Sequence, residues 1–128
     1  VRICAQECLH LSVFDYLRVT HGKGASWHSQ RPPFNQWIKI YLSKTHTVRK
    51  VRMLNSSANI GYRTLNYKIE VSTDDNDYQQ VASGTLPNDG TNWTEVNFKP
   101  VEAKYIKFTG ITGYTSTHAV GLKEIEVY

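Results

Sequence analysis

Gln36-Trp37-Ile38-Lys39-Ile40-Tyr41-Leu42 decides how the rest of the chain is read. Apolar Ile38, Ile40 and Leu42 alternate with Lys39 and the amphipathic Tyr41, the period-two signature of a half-buried strand. The same rhythm recurs downstream. Thr47-Val48-Arg49-Lys50-Val51-Arg52-Met53-Leu54 repeats it, and Asn66-Tyr67-Lys68-Ile69-Glu70-Val71-Ser72 sets Tyr67, Ile69 and Val71 against Lys68 and Glu70. Thr94–Phe98, Lys104–Phe108 and Lys123–Tyr128 complete six runs rich in Val, Ile, Tyr and Phe. Such a set fits a β-sandwich or barrel.

The punctuation agrees. Ser72-Thr73-Asp74-Asp75-Asn76-Asp77 and Leu86-Pro87-Asn88-Asp89-Gly90 are turn clusters, the second carrying an Asp-Gly signal. Pro32 and Pro33 exclude a central strand between Arg31 and Asn35. The stretch from Leu9 to Val19 reads equally as a short helix or a loop, and no longer helix is expected.

Composition bounds the function. A length of 128 residues fits one domain, taken here as residues 1–128, with a core large enough to need no staples. Charged residues make up 20% of the chain and aromatic residues 12%, which argues against disorder. No apolar run is long enough for a membrane helix. The chain opens without Met and closes on a strand, as a module cut from a longer protein would. The net charge of +4 is mild. Lys39, Lys44, Arg49, Lys50 and Arg52 are its densest group, and their alternation with Val48 and Val51 suggests a solvated face. No basic stripe implies nucleic-acid binding. Cys4 and Cys8 enclose three residues; a bridge there gains little loop entropy, and a pair of free thiols is the plainer reading. Two Asn-x-Ser/Thr triplets, at Asn55 and Asn92, carry meaning only in a secreted eukaryotic protein. No nucleophile elbow, Walker loop or zinc-protease motif is present, and Asp74, Asp75 and Asp77 read as a solvated acidic turn.

Seven segments, in order and with matching gaps, resemble the discoidin family: the coagulation factor 5/8 type C domains and related family 32 carbohydrate-binding modules. Ser26-Trp27-His28-Ser29 is similar to the family's Trp-His-Ser/Thr element, and Gln36–Leu42 to its "QWIxIDL" strand. Thr47–Val51 is similar to "tVxxV", and Asn66–Ser72 to "dYxIxVS". Tyr78–Thr85 is similar to "W-x-x-VASGT", Ala103–Lys107 to "aRYVrl", and Leu122–Tyr128 to "aEIEVY". The resemblance implies an all-β, galactose-binding-domain-like jelly-roll β-sandwich of about eight antiparallel strands. It also implies a non-catalytic binding role on loops at one end.

Sugars are held by rings stacked on C–H faces and by polar groups that bond hydroxyls. On the resemblance, the candidate ligand residues are His28, Gln30, Arg31, Phe34, Asn59, Arg63, Tyr114 and His118. Ser56 stands where sugar-binding relatives often carry an Arg, which weighs against galactose and leaves one bidentate donor short. Trp27, Trp37 and Tyr67 are expected as core rings, Phe34 and Tyr114 as loop rings. A structural calcium ion would use Glu124, although His21-Gly22-Lys23-Gly24 replaces the acidic turn that such a site needs.

The leading function is a carbohydrate-binding or lectin module recognising galactose-type or related glycans, within a larger secreted or cell-surface protein. The rivals are an adhesion module for membrane phospholipid or protein, with Pro32-Pro33-Phe34 as a modest apolar spike, and a cytosolic recognition domain of a larger assembly.

Overall fold

A computed structural model describes the backbone of residues 2–4, 8–10, 17–20, 27–28, 35–57, 60–115 and 120–128, with side chains from residue 35 onward. Within these residues the chain is nearly all strand: β1 (Arg2–Cys4), β2 (Cys8–His10), β3 (Leu17–Thr20), β4 (Trp27–His28), β5 (Gln36–Leu54), β6 (Asn66–Ser72), β7 (Gln79–Thr85), β8 (Trp93–Gly110), β9 (Gly121–Leu122) and β10 (Glu124–Val127). A single 3-10 turn, Ile60–Tyr62, is the only helical element among them. No helix in the described residues is long and apolar enough to cross a membrane. The ambiguous stretch from Leu9 to Val19 contributes strand at both ends, and residues 11–16 lie outside the description.

Two pairs of runs that the sequence shows as separate strands are continuous. The runs at 36–42 and 47–54 are one strand, β5, and those at 94–98 and 104–108 are one strand, β8. They pair antiparallel along most of their length, from Gln36↔Gly110 to Leu54↔Trp93. Each serves two layers. The first part of β5 lies between β1 and the last part of β8, which continues to β6 and β7. The second part of β5 lies between the first part of β8 and β10, which continues to β3. The sandwich is therefore one hydrogen-bonded sheet folded over itself, with β4 and β9 as a small accessory pair.

The fold in β5 is visible in its burial pattern. Ile38, Ile40 and Leu42 are buried at even positions, Val51 and Met53 at odd ones. Alternation fixes the facing of a strand, so a change of parity needs an inserted residue. The register slips between Tyr41 and His46 and again between Val48 and Lys50, and Ser43 takes a left-handed backbone with φ 64°. The insertions carry the strand from one layer to the other while keeping its apolar side inward. Between the layers, Ile38, Ile40, Val51, Met53, Ile69, Ile106, Phe108, Val120 and Ile125 are all but fully buried. Tyr67 is buried and stacks on Phe108 with ring centroids 6.0 Å apart.

Trp37 is not among them. The alternation that buries Ile38 turns Trp37 outward, where it is half-buried beneath the ammonium groups of Lys39 and Lys107. The expectation of a core ring is corrected for that residue; the Trp27 side chain lies outside the description. The basic group of β5 is likewise mixed. Lys44 and Arg49 are exposed, but Lys50 lies over the Tyr128 ring at 4.1 Å and Arg52 over Trp93 at 4.5 Å. Arg52 also pairs with Glu126 at 3.1 Å and Glu95 at 3.6 Å, so this charge laces the outer side of the second layer.

The turn after β6 is built rather than merely solvated. Asp74 accepts from the backbone N–H groups of Asn76 and Asp77 and from the Ser72 hydroxyl, and these bonds hold its carboxyl below the usual range. Asp75, at φ 62°, pairs with Lys39 at 2.7 Å and accepts from the Tyr78 hydroxyl. Burial pushes the Asp75 carboxyl upward, but the bonds from Lys39 and Tyr78 outweigh it and the net shift is downward. Burial first, and then the bond to Asp75, push the Tyr78 phenol well up.

Candidate functional site

Chain reversals at one end of the sandwich bring four segments together: 55–65, 86–92, 111–115 and 120–121. Their contacts are specific side-chain bonds to backbone. Asn55, 1% exposed, holds the centre. Its amide nitrogen donates to the carbonyls of Thr64 (2.9 Å) and Pro87 (3.0 Å), and its oxygen accepts from the N–H groups of Ser56 and Thr64, both at 3.0 Å. All the principal bonding capacity of an asparagine side chain is used. Thr64 extends the network: its hydroxyl donates to the Gly121 carbonyl at 2.9 Å and accepts from the Gly121 N–H at 3.1 Å. Thr64 also bridges to Gly113.

Arg63 clamps the rim. Its Nε donates to the Ser56 carbonyl at 3.0 Å, and one terminal nitrogen donates to both the carbonyl and the side-chain oxygen of Asn88, at 3.1 and 3.0 Å. The other terminal nitrogen makes no hydrogen bond among the described residues. Its positive field contributes to holding the Asp89 carboxyl below its usual range, behind the larger effect of bonds from Asn92 and Thr91. Tyr114 donates its hydroxyl to the Leu86 carbonyl, and its N–H donates to the Arg63 carbonyl at 3.1 Å. Both groups are half-buried.

The loops also approach closely at Gly90, where a Cβ would fall 2.4 Å from Ser57 Cα. Backbone cannot yield as a side chain can. Gly90→Ala is therefore expected to cost about 2 kcal/mol, as overpacking commonly does. Thermal denaturation reads it as a lower midpoint, and a wild-type midpoint would refute the contact.

Of the residues singled out in the sequence, the structure brings Arg63 and Tyr114 into one cluster. The backbone of His28 joins them, since His28 stands opposite Gly121 in the β4–β9 pair and Gly121 is held by Thr64. The His28 side chain lies outside the described residues, as do Gln30, Arg31, Phe34, Asn59 and His118. Glu124 opens β10 opposite Leu54 and Thr20. Among the described residues no group of three or more Asp, Glu, His or Cys could hold a metal ion. The turn at 21–24, which would face Glu124 in a calcium site, lies outside the described residues.

Four rim residues escape the sequence reading. Asn88 and Asp89 look like turn formers, and they are, but Asn88 also accepts from Arg63 and Asp89 lies in its field. Asn55 looks like a glycosylation acceptor, yet its buried amide nitrogen is occupied by two carbonyls. Ile60 is the exception with a visible signal: an isoleucine in an Asn-, Ser- and Gly-rich loop. It is 45% exposed, and among the described residues it is the one exposed large apolar side chain.

Comparison with known proteins gives consistent results. The family model described as "F5/8 type C domain" matches residues 12–125. CpGH89CBM32-5 from Clostridium perfringens, solved in complex with GalNAc-β-1,3-galactose, is 21% identical; the match covers 84% of this chain and 78% of that one, with a TM-score of 0.74. The family 32 carbohydrate-binding module of C. perfringens NanJ, solved with galactose, is 19% identical over 88% and 90% of the two chains, with a TM-score of 0.71. Chitosan-binding module 1 from a chitosanase/glucanase of Paenibacillus sp. IK-5 is 24% identical over 88% and 92%, with a TM-score of 0.66. No curated protein matches. At these identities the structural likeness speaks for the β-sandwich fold.

Proposed function

The chain belongs to the F5/8 type C domain family, and on that premise we propose that it is a non-catalytic carbohydrate-binding module whose ligand meets the loop end built around Arg63 and Tyr114. The observation that carries this reading is the network from Asn55 through Thr64 and Arg63. It fixes four loops into one rim before any ligand arrives, which lowers the ordering cost of binding. Arg63 keeps a terminal nitrogen for a hydroxyl or a carboxylate, and Tyr114 adds a half-buried ring to the same cluster. The related modules solved with galactose and with GalNAc-β-1,3-galactose support galactose-type glycans as the ligand class. Its place would be within a larger secreted or cell-surface protein, a reading supported by related modules solved from a family 31 glycoside hydrolase and from a chitosanase/glucanase.

Binding is expected to be weak, on the order of 10 µM to 1 mM, because a shallow rim with few hydrogen bonds leaves little surplus after desolvation. A glycan array followed by NMR titration with galactose, N-acetylgalactosamine and uronates tests it. Shifts at Tyr114 and Arg63 support the reading. An empty array together with unmoved spectra sinks it. The exposed Ile60 favours the rival phospholipid-binding role, and sedimentation with phosphatidylserine vesicles, abolished by Ile60→Ser, would establish that role instead.

A further inference from the structure

The outer side of the first layer differs from an ordinary polar sheet face. On it β5 places Trp37, Lys39 and Tyr41, and β8 answers in register with Thr109, Lys107 and Tyr105. Tyr41 and Tyr105 stack with centroids 5.0 Å apart. Lys39 and Lys107, directly opposite one another on neighbouring strands, both reach over the Trp37 ring, at 5.0 and 5.5 Å from its centroid. Lys107 also lies 4.9 Å from the Tyr78 ring, and Lys104 lies 5.6 Å from that of Tyr41.

Like charges placed directly across a pair of strands repel. The rings relieve part of that repulsion. The carboxylates relieve little more. Asp75 pairs with Lys39 and is shared with the Tyr78 hydroxyl. Glu70 faces Lys107 in the β6–β8 register, but its carboxylate pairs with Lys68 at 3.4 Å. Among the described residues neither Lys104 nor Lys107 makes a direct ion pair, although the Lys107 charge also acts on Asp75. Beside Trp37, the Thr109 hydroxyl is buried and makes no hydrogen bond.

We propose that this face is a second binding surface, for an anionic polysaccharide. Its carboxylate or sulfate groups would sit between Lys107, Lys104 and Lys39, and sugar C–H groups would lie against Tyr41 and Tyr105. Charge complementarity selects an acidic occupant, and the rings between the lysines suit a sugar chain. The few cations, separated by rings, do not form the continuous stripe that a nucleic acid needs. None of these residues belongs to the loop end, so the two surfaces stand or fall separately.

The test is NMR titration of the intact domain at low salt with four probes: a sulfated heparin hexasaccharide, an oligogalacturonate, a neutral galacto-oligosaccharide and a single-stranded oligonucleotide of equal charge. The expected result is movement of the Trp37 indole N–H with one or both acidic sugars, none with the neutral one, and quiet Tyr114 and Ile60 signals. A response to the hexasaccharide alone assigns sulfate, and to the oligogalacturonate alone carboxylate. The double variant Lys39→Gln/Lys107→Gln, at two half-buried positions of the outer face, should keep the fold and weaken binding about tenfold. The proposal is overturned by a still Trp37 at millimolar acidic sugar, by equal binding of the oligonucleotide, or by undiminished affinity in the double variant.

Discussion

Asn55→Ala is expected to destabilise the domain by about 4 kcal/mol, because it strips partners from three buried backbone groups and one half-buried one at once. The N–H of Ser56, the N–H and carbonyl of Thr64, and the carbonyl of Pro87 all bond to that side chain. Each buried polar group left unmatched costs about 1–3 kcal/mol, and partial entry of water keeps the sum below the maximum. For a domain with a typical total of about 5–15 kcal/mol, that is a large share. Urea denaturation should show a lower midpoint with an unchanged slope. Asn55→Asp sharpens the test. A carboxylate facing two carbonyls has its pKa raised, so the protonated form is the one that fits. Stability lost by this variant at neutral pH should therefore return in part as the pH falls below the folded-state pKa. A cost under about 1 kcal/mol for Asn55→Ala would mean that the loops are not held from this residue.

Phe108→Ala should cost about the same, through cavity formation. Phe108 is completely buried in β8, between Ile38 of β5 and Ile69 of β6 in register, and stacks on Tyr67. Removing a ring from such a position typically costs about 3–5 kcal/mol, and the spread reflects how far the site can collapse. Here neighbours on two flanking strands are fixed by backbone pairing, so collapse is limited and the upper part of that range applies. Phe108→Leu, which refills most of the volume, should cost under about 2 kcal/mol. Equal losses for the two variants would show that the ring geometry, rather than the volume, is what the core requires.

The strands were legible in the sequence because alternation is a direct consequence of the pleat. Ile38, Ile40, Tyr67, Ile69, Val71, Ile106 and Phe108 are buried as their spacing requires. The continuity of β5 and β8 was not legible. Ser43-Lys44-Thr45-His46 reads as a break between two strands, whereas the chain absorbs the change of parity by bulging and stays paired. Trp37 shows a different failure: the alternation already set it opposite Ile38, and its bulk argued for the core against its own position. A ring that large can be half-buried on an outer face when lysine stems cover it. At the loop end, Arg63 and Tyr114 could be selected by residue type and position. The roles of Asn55 and Asn88 could not, since one depends on which distant backbone groups a short polar side chain meets and the other on which loop Arg63 reaches.

The continuity of β5 and β8 has a further bearing on how the domain comes apart. Because each of these strands is shared by both layers, neither layer can open while the other stays intact. Partial unfolding is confined to the edges, such as β2 and β7, and loss of the centre is all-or-none. The same sharing delays assembly, since β5 must find distant β8 in both layers, from Gln36↔Gly110 in one to Leu54↔Trp93 in the other. A tether placed on this domain by neighbouring chain would thus meet a single high barrier rather than a series of small ones.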